Sequence, residues 1–580
     1  MRAAALLSLS FCLLLLAGCD DTPADIDGSV EEDASRPDTD GGRDSGPALC
    51  EGDGTCDDGR FCNGVESCES GACASGSDPC GAGEVCDEDG DRCDAVMPPA
   101  DGLPVGIPTP TYGWELDTSA PATLIVDNTD PDCSDTGPGD EATPLCDLFR
   151  GGRQATLEAG TVVAVRGGPY AVDGDYTVTA SGTDAAPVIL RGEGDARVRF
   201  DGEGERADFN WEGSYLVVEH LDFFHMTRHR LLADHLLFRD NAVHNPVDAF
   251  IDFNPVVGVT GHEVLIERCE IFNNRRDSDL DSHGIQASEG SFNVWILDNE
   301  LYNNNGDSFQ SCHGCFDTPP HHIYLGRNLL HEDRENGIDL KTVHDVVISE
   351  NVLFGYGGSG TSSGDAMVIG STGFDEGRNQ GPRRIWVLHN DLSNSTTGIR
   401  VEGSEDVWLI GNLFRDLGTG LQIDNKPHRN IVVASNTMRG ITTDAMRAFG
   451  CRPAQLVVQN NLLMGVGERH MDFDACGGDV LTLSNNFFEA SANVRTDAGR
   501  RMSAAELDAD SFASMHLEGD PQVDAMHVPG GGSPLIDQGA DLSALYTAFN
   551  VAFSGDIAVD RVGTPRPSGA GEDIGAIERP

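Results

Sequence analysis

The sequence predicts an all-β solenoid of stacked coils, preceded by a disordered tether and a small disulfide-rich module. Three observations carry this. A single asparagine recurs at regular intervals over the second half of the chain, short Val-, Ile- and Leu-rich runs precede it, and the composition changes character near residue 120.

Residues 1–18, within "MRAAALLSLSFCLLLLAGCDD", combine a basic start, an apolar run too short to span a bilayer, and small residues at the end, so they read as an export signal. The ending Leu16-Ala17-Gly18-Cys19 resembles a bacterial lipobox, which implies that Cys19 becomes the lipidated first residue of the mature chain; a plain signal peptide is the alternative. The expected location is therefore the bacterial cell envelope or surface, held by a lipid anchor. Residues 19–48 are acidic and rich in Pro, Gly and Ser, with too few apolar groups to offset the entropy of ordering, and read as a disordered linker. The formal charge of −58 repels nucleic-acid phosphates, so no nucleic-acid partner is expected; it also suits solubility in a salty exterior.

Residues 49–94 hold eight cysteines, Cys50, Cys56, Cys62, Cys68, Cys73, Cys80, Cys86 and Cys93, where hydrophobic residues are scarce. Such a stretch cannot build a core and needs cross-links, and an even count in an exported chain predicts disulfides. The 105 connectivities open to eight cysteines stay open. Zinc is the alternative, although paired CxxC knuckles are missing. The pattern "CDDGRFCNGVESC" resembles small Cys-rich modules near the start of secreted proteins of myxobacteria-like bacteria. Residues 95–119 form a connector.

Residues 120–530 are the solenoid. Aligned on one position, "ILDNELY", "LGRNLLH", "ISENVLF", "VLHNDLS", "LIGNLFR", "VASNTMR", "VQNNLLM" and "LSNNFFE" place Asn299, Asn328, Asn351, Asn390, Asn412, Asn436, Asn461 and Asn486 in one column, at separations of 29, 23, 39, 22, 24, 25 and 25 residues. Stacked coils explain a period in the low twenties, and the absence of a leucine-rich consensus argues for a parallel β-helix. Equivalent residues then stack about 4.8 Å apart, close enough for each Asn to hydrogen-bond to its neighbours. Such ladders resemble those of right-handed parallel β-helix proteins, including the pectate-lyase-like group. The opening "TVVAVRGGPY" and the closing segment 531–580 with "GEDIGAIE" resemble the two ends of such chains.

"IERCEIF" puts Cys269 in the Asn column, where it is expected as a small buried hydrophobe. Cys451 and Cys476 align on adjacent coils within disulfide reach, and Cys133 with Cys146 is a further pair. Cys312 and Cys315, in "CHGC", fit a disulfide, a reduced pair or metal ligands.

Strand alternation places Ile338 and Leu340 inward and Asp339 and Lys341 outward. One outward column then runs Gln286, Gln310, Asp339, Val368, Arg400, Gln422, Arg447, Asp472; the next runs Ser288, Cys312, Lys341, Gly370, Glu402, Asp424. Such a stripe of acids, amides and cations suits a long sugar chain, with Gln286, Gln310, Glu402 and Gln422 as binding groups.

Lys341 is one of two lysines in 580 residues. "ENGIDLK" followed by "NVLF" is similar to calcium-dependent pectate lyases with a lysine base and to chondroitinase-B-like lyases. That resemblance implies β-elimination on an acidic polysaccharide, with Lys341 as base, Arg400 as a bidentate carboxylate clamp and Asp339 beside them. A lysine base is expected to have its pKa driven down toward neutrality. The resemblance also implies Ca²⁺. Asp277, Asp279 and Asp281 in "RRDSDLDSHG", with Asp307, are the expected ligands, although Ser282 and Ser288 exclude an EF-hand loop. Glu335, Asp339 and Asp365 are further candidate ligands, each with turn capping as the alternative.

The polygalacturonase pattern is missing apart from "SHG" at 282–284, and no GxSxG elbow or P-loop is present. His321 and His322 are adjacent in a strand, so they are expected on opposite faces in a structural role. The reading is a monomeric carbohydrate-active β-helix protein, with a noncatalytic surface β-helix for adhesion, glycan binding or envelope structure as the alternative.

Overall fold

The computed structural model describes residues 67–69, 72–74, 84–87, 92–95, 102–202, 207–245, 256–274, 281–358, 362–370, 381–450, 453–474, 476–496 and 501–580. Two compact units are present, Met1–Val96 and Met97–Pro580. The described part of the first consists of two antiparallel hairpins, in which Cys68 stands opposite Cys73 and Cys86 opposite Cys93.

The second unit is the right-handed parallel β-helix expected from the repeats. Each coil lays down three strands. In the central coil these are Ile338–Leu340 on the first sheet, His344–Ser349 on the second and Val352–Phe354 on the third. Every strand pairs in parallel with its equivalents one coil away, so each position forms a column along the axis. Inward residues such as Ile338, Leu340, Val346, Ile348 and Leu353 are fully buried, because alternation on three faces directs half of every strand into one core.

Between the second and third sheets each coil turns on one left-handed residue. Asp298, Arg327, Glu350, His389, Ser435, Asn460 and Asn485 all have φ between 52° and 59° or within a degree of that range. Such a conformation costs a non-glycine residue about 1–2 kcal/mol. The asparagine that follows offsets the cost. Asn351 donates through its backbone N–H and its Nδ2 to Asn390 Oδ1, both at 2.9 Å, and through Nδ2 to Leu325 O at 3.0 Å. The same pattern runs from Asn299 to Asn486. Cys269 occupies the column one coil earlier, buried and free, with burial pushing its thiol up to about 12.

The outer side of the second sheet is apolar: Val162, Ile189, Val217, Leu237, Leu265, Trp295, Tyr324, Val347, Trp386 and Ile410 form a continuous strip. Two distant segments cover it. Leu103, Val105, Ile107, Tyr112 and Trp114 run along it from one end of the unit, and the helix Ser543–Phe553 packs Tyr546, Phe549 and Phe553 onto it. Gly106, at φ 77°, lets these segments meet, since a Cβ there would lie 2.8 Å from the Phe549 ring.

On the third sheet an outward column of rings, His244, Phe272, Tyr302, His331 and Phe354, stacks with centroids 4.6–5.0 Å apart. Burial disfavours the charged form of His331, but hydrogen bonds to Glu300 and Glu332 outweigh it and lift its pKa to about 9.

His321 and His322 depart from the expectation of opposite faces. Their Nδ1 atoms lie 2.7 Å apart, because His322 has φ 54° and breaks the alternation at that corner. His321 stacks between Phe292 and His344, in keeping with a structural role. Cys133–Cys146 and Cys312–Cys315 are disulfides, with Cα atoms 5.0 and 5.8 Å apart. Cys476 is disulfide-bonded, and its expected partner Cys451 lies outside the described residues.

Two outcomes follow. Asn390→Leu strands two buried donors of Asn351 and should cost roughly 3–5 kcal/mol, whereas Cys269→Asn supplies the missing rung and should hold or raise the thermal midpoint. Equal melting of Asn390→Leu and wild type would contradict the ladder's role. Because the folded pKa of His331, about 9, lies above the ordinary 6.5, its contribution is fully present below pH 6.5 and lost as pH rises through 9. His331→Phe keeps the stack and should flatten the fall in melting temperature over that window.

Candidate functional site

Lys341 lies on the outer side of the first sheet, and the column expected there is observed. Gln286, Gln310, Asp339, Val368, Arg400, Gln422, Arg447 and Asp472 are successive partners in register. Gln286 Nε2 donates to Gln310 Oε1 at 3.0 Å, and Gln310 Nε2 donates to Asp307 Oδ2 at 3.0 Å.

At the corner leading into these strands, the same stacking brings His283, Asp307, Asn336 and Asp365 together. Asp307 is fully buried. Its Oδ1 accepts from the Asn336 N–H at 3.1 Å and from Asn336 Nδ2 at 2.8 Å, and its Oδ2 lies 3.1 Å from His283 Nδ1. Burial disfavours the Asp307 carboxylate, but His283 and Lys341 outweigh it and hold the group below its usual range. The opposite holds for His283, where Asp307 overcomes burial and raises the imidazole. Gly306 makes this contact possible, because a Cβ there would lie 2.6 Å from His283 Nδ1.

The Lys341 ammonium binds the Asp339 carboxylate, with side chains 17% and 5% exposed, and the Lys341 N–H donates to Ser311 Oγ at 2.7 Å. Burial and the charge of Asp307 hold the Asp339 carboxyl up to about 7 against the pull of Lys341. Burial lowers Lys341, but Asp339, Asp307 and Glu335 outweigh it, and its pKa is raised. The expected drive toward neutrality is therefore reversed, because three carboxylates surround the cation and no positive charge opposes them closely enough.

Arg400 is placed differently from the expected clamp. It stands two coils from Lys341, with Val368 between, or about 10 Å at the sheet spacing. Its Nε donates to Asp365 Oδ2 at 2.7 Å, and its Nη1 donates to Glu402, so the chain's own carboxylates occupy the fork. Glu402 also accepts from Lys426 Nζ at 2.6 Å, while Gln422 donates to Asp424 at 2.7 Å and accepts from Arg447 at 3.0 Å. Gln310 thus lies one coil from Lys341 and Gln286 two, whereas Glu402 and Gln422 belong to an ion-pair network on the other side of it. Lys426 joins that network; the sequence signal for it was the scarcity of lysine itself.

Of the expected calcium ligands, Asp281 and Asp307 come together, and Asp277 and Asp279 lie outside the described residues. The partners that join them are His283 and Glu335. One ligand atom each from His283, Asp307 and Glu335 lie within 4.8 Å of one another, all in buried residues. Two features fit a divalent cation there. Asp281 and Glu335 approach each other closely enough to interact, and burial raises the Asp281 carboxyl, so two acids crowd where one positive charge would relieve them. His283 Nδ1 faces both the Asp307 carboxylate and, at 3.0 Å, the Asp307 backbone N–H. A protonated Nδ1 serves the carboxylate and an unprotonated one the amide, so the neutral imidazole that accepts the amide would leave its other nitrogen to a cation. The imidazole suits Mn²⁺ or Zn²⁺ and the carboxylates suit Ca²⁺.

No family model matches the chain, and no curated protein matches it. Among solved structures it is similar to pectate lyase Pel9A, at 14% identity and a TM-score of 0.39 over 80% of this chain and 98% of that one. It is similar to the PL6 family alginate lyase AlyGC at 13% identity and 0.39, over 73% and 57%. The Azotobacter vinelandii mannuronan C-5 epimerase AlgE6 A-module matches at 13% and 0.34, over 64% and 92%. At such scores the likeness carries no residue's role from one chain to another.

The donor set predicts cation-dependent stability. Adding Ca²⁺, Mn²⁺ or Zn²⁺ to chelator-treated protein should raise the melting temperature, by about 2.7 kcal/mol of stability at a hundredfold excess over Kd. Glu335→Gln should abolish the rise, and a rise unaffected by that change would place the cation elsewhere.

Proposed function

We propose that this chain is an exported, lipid-anchored β-helix enzyme that cleaves an acidic polysaccharide by β-elimination at the coil bearing Lys341. The observation that supports it is the juxtaposition of Lys341, the central cation of the front face, with a buried cluster suited to a divalent cation. β-Elimination on a uronate needs the carboxylate neutralised, a proton removed from the carbon beside it, and a proton returned to the departing oxygen.

His283, Asp307 and Glu335 would hold a divalent cation, which would supply positive charge for the substrate carboxylate. Lys341 takes part in proton transfer, Asp339 holds its position, and Gln286 and Gln310 offer amides to sugar hydroxyls along the axis. Hydrolysis is less well supported, since paired carboxylates must flank the scissile bond, whereas Asp339 is engaged by Lys341 and Asp307 by His283. The anchor at Cys19 and the acidic linker 19–48 would present the enzyme at the cell surface. The alternative, a noncatalytic glycan-binding β-helix, is favoured by the engagement of Arg400 with Asp365 and Glu402.

The test is the ultraviolet absorbance of the unsaturated uronate, with the full mature chain on pectate, alginate and a glycosaminoglycan, with cation and then with chelator. A cation-dependent rise that falls at least about 100-fold in Lys341→Met is expected. Binding to these polymers without any rise would favour the noncatalytic reading.

A further inference from the structure

We propose that His313 is the catalytic base of this elimination and that Lys341 is its acid, the reverse of the role the sequence implies for the lysine. The proposal rests on the lyase reading and assigns a residue that no motif singled out.

Lys341 is engaged with the Asp339 carboxylate as an ammonium, and in that ion pair it has no lone pair with which to take a proton. What it has is a proton to give. A second group must then accept the substrate proton, and it must reach the same point of the front face.

The coil next to Lys341 supplies one. Gln310 pairs with Asp339, and the Thr342 N–H donates to Cys312 O at 3.1 Å, which sets Cys312 alongside Lys341. His313 follows at once, so it leaves the sheet at the lysine's side. The Cys312–Cys315 disulfide closes the loop on both sides of the histidine, with Cα atoms 5.8 Å apart, and the Cys312 N–H ties its base to Ala287 O at 2.9 Å. His313 is exposed. Partial burial, and then the charge of Lys341, hold its pKa below 6.5, which leaves the imidazole neutral at neutral pH. Asp317 on its own loop and Glu289 on the loop alongside are the other ionisable groups there, both exposed. Two neighbouring groups whose surroundings push their proton affinities apart form an acid and base pair.

In the proposed step a His313 ring nitrogen takes the proton from the carbon beside the uronate carboxylate. The electrons of that C–H bond form the carbon–carbon double bond, the bond from the next carbon to the bridging oxygen breaks, and its electron pair goes to that oxygen. Lys341 gives the oxygen its proton. Solvent then removes the proton from His313 and restores the one on Lys341.

The experiment combines a histidine NMR titration of the full mature chain with steady-state kinetics on pectate, alginate and a glycosaminoglycan. The His313 signal, identified by its loss in His313→Gln, should titrate below the ordinary histidine range and move upward in Lys341→Met. His313→Gln should keep its melting temperature and KM, lose about 100-fold or more in kcat, and lose the rise of rate with pH that follows the His313 titration. A His313 midpoint indifferent to Lys341→Met, or a His313→Gln enzyme within about threefold of wild-type kcat, overturns the assignment while leaving the lyase reading intact. A wild type that eliminates none of the three polymers overturns that reading, and the role of His313 falls with it.

Discussion

The rest of the molecule depends on the hydrogen bond from one buried asparagine to the next. Each coil must reverse its path in a single left-handed residue, and the asparagine after it makes that corner repeatable by binding the coils on both sides. Because the ladder fixes the register of the corner, it fixes the register of all three sheets. A slip of one residue would turn every core side chain outward and every front-face side chain inward. The columns that place Asp339 over Gln310 and His283 beside Asp307 are therefore consequences of amides at Asn299, Asn328 and Asn351.

Stacking also governs the electrostatics. In a chain of formal charge −58, the front-face cations gather carboxylates from the preceding coil and from their own strand, as Arg400 does with Asp365 and Glu402, and Arg469 with Asp444 and Asp472. Each cation is held at a fixed height on the face by partners that are themselves buried. Around Lys341 the acids outnumber the cations, which keeps the lysine protonated and leaves a carboxylate cluster that calls for further positive charge. The same excess of acid ties the cation site and the acid–base pair into one unit: charge placed at Asp307 and Glu335 acts directly on Lys341.

Much of this was legible in the sequence, for physical reasons that differ from residue to residue. Asn299 to Asn486 stood out because a buried amide is costly unless it repeats. The front-face column was legible because alternation has a period of two. Three things were hidden. The covering of the second sheet by Leu103–Trp114 and the helix Ser543–Phe553 depends on contacts between segments hundreds of residues apart, and an apolar strip reads the same whether it faces a core or a cover. The proton affinity of Lys341 depends on burial of Asp339, which its place in "IDLK" does not disclose. Glu335 was a candidate ligand from its sequence, but His283 sits at a corner separated from it by coils of unequal length, so "SHG" looked unrelated to it until the coils were stacked.

The central claim, that the coil of Lys341 eliminates rather than hydrolyses or merely binds, is tested most directly by the masses of the products. Digestion of a uronate polymer, followed by mass spectrometry, should give oligosaccharides whose new non-reducing ends make them lighter by one water than their hydrolytic counterparts, with about 100-fold less formed by Lys341→Met. Oligosaccharides of hydrolytic mass, or a polymer left intact by the cation-loaded wild type, would contradict the account.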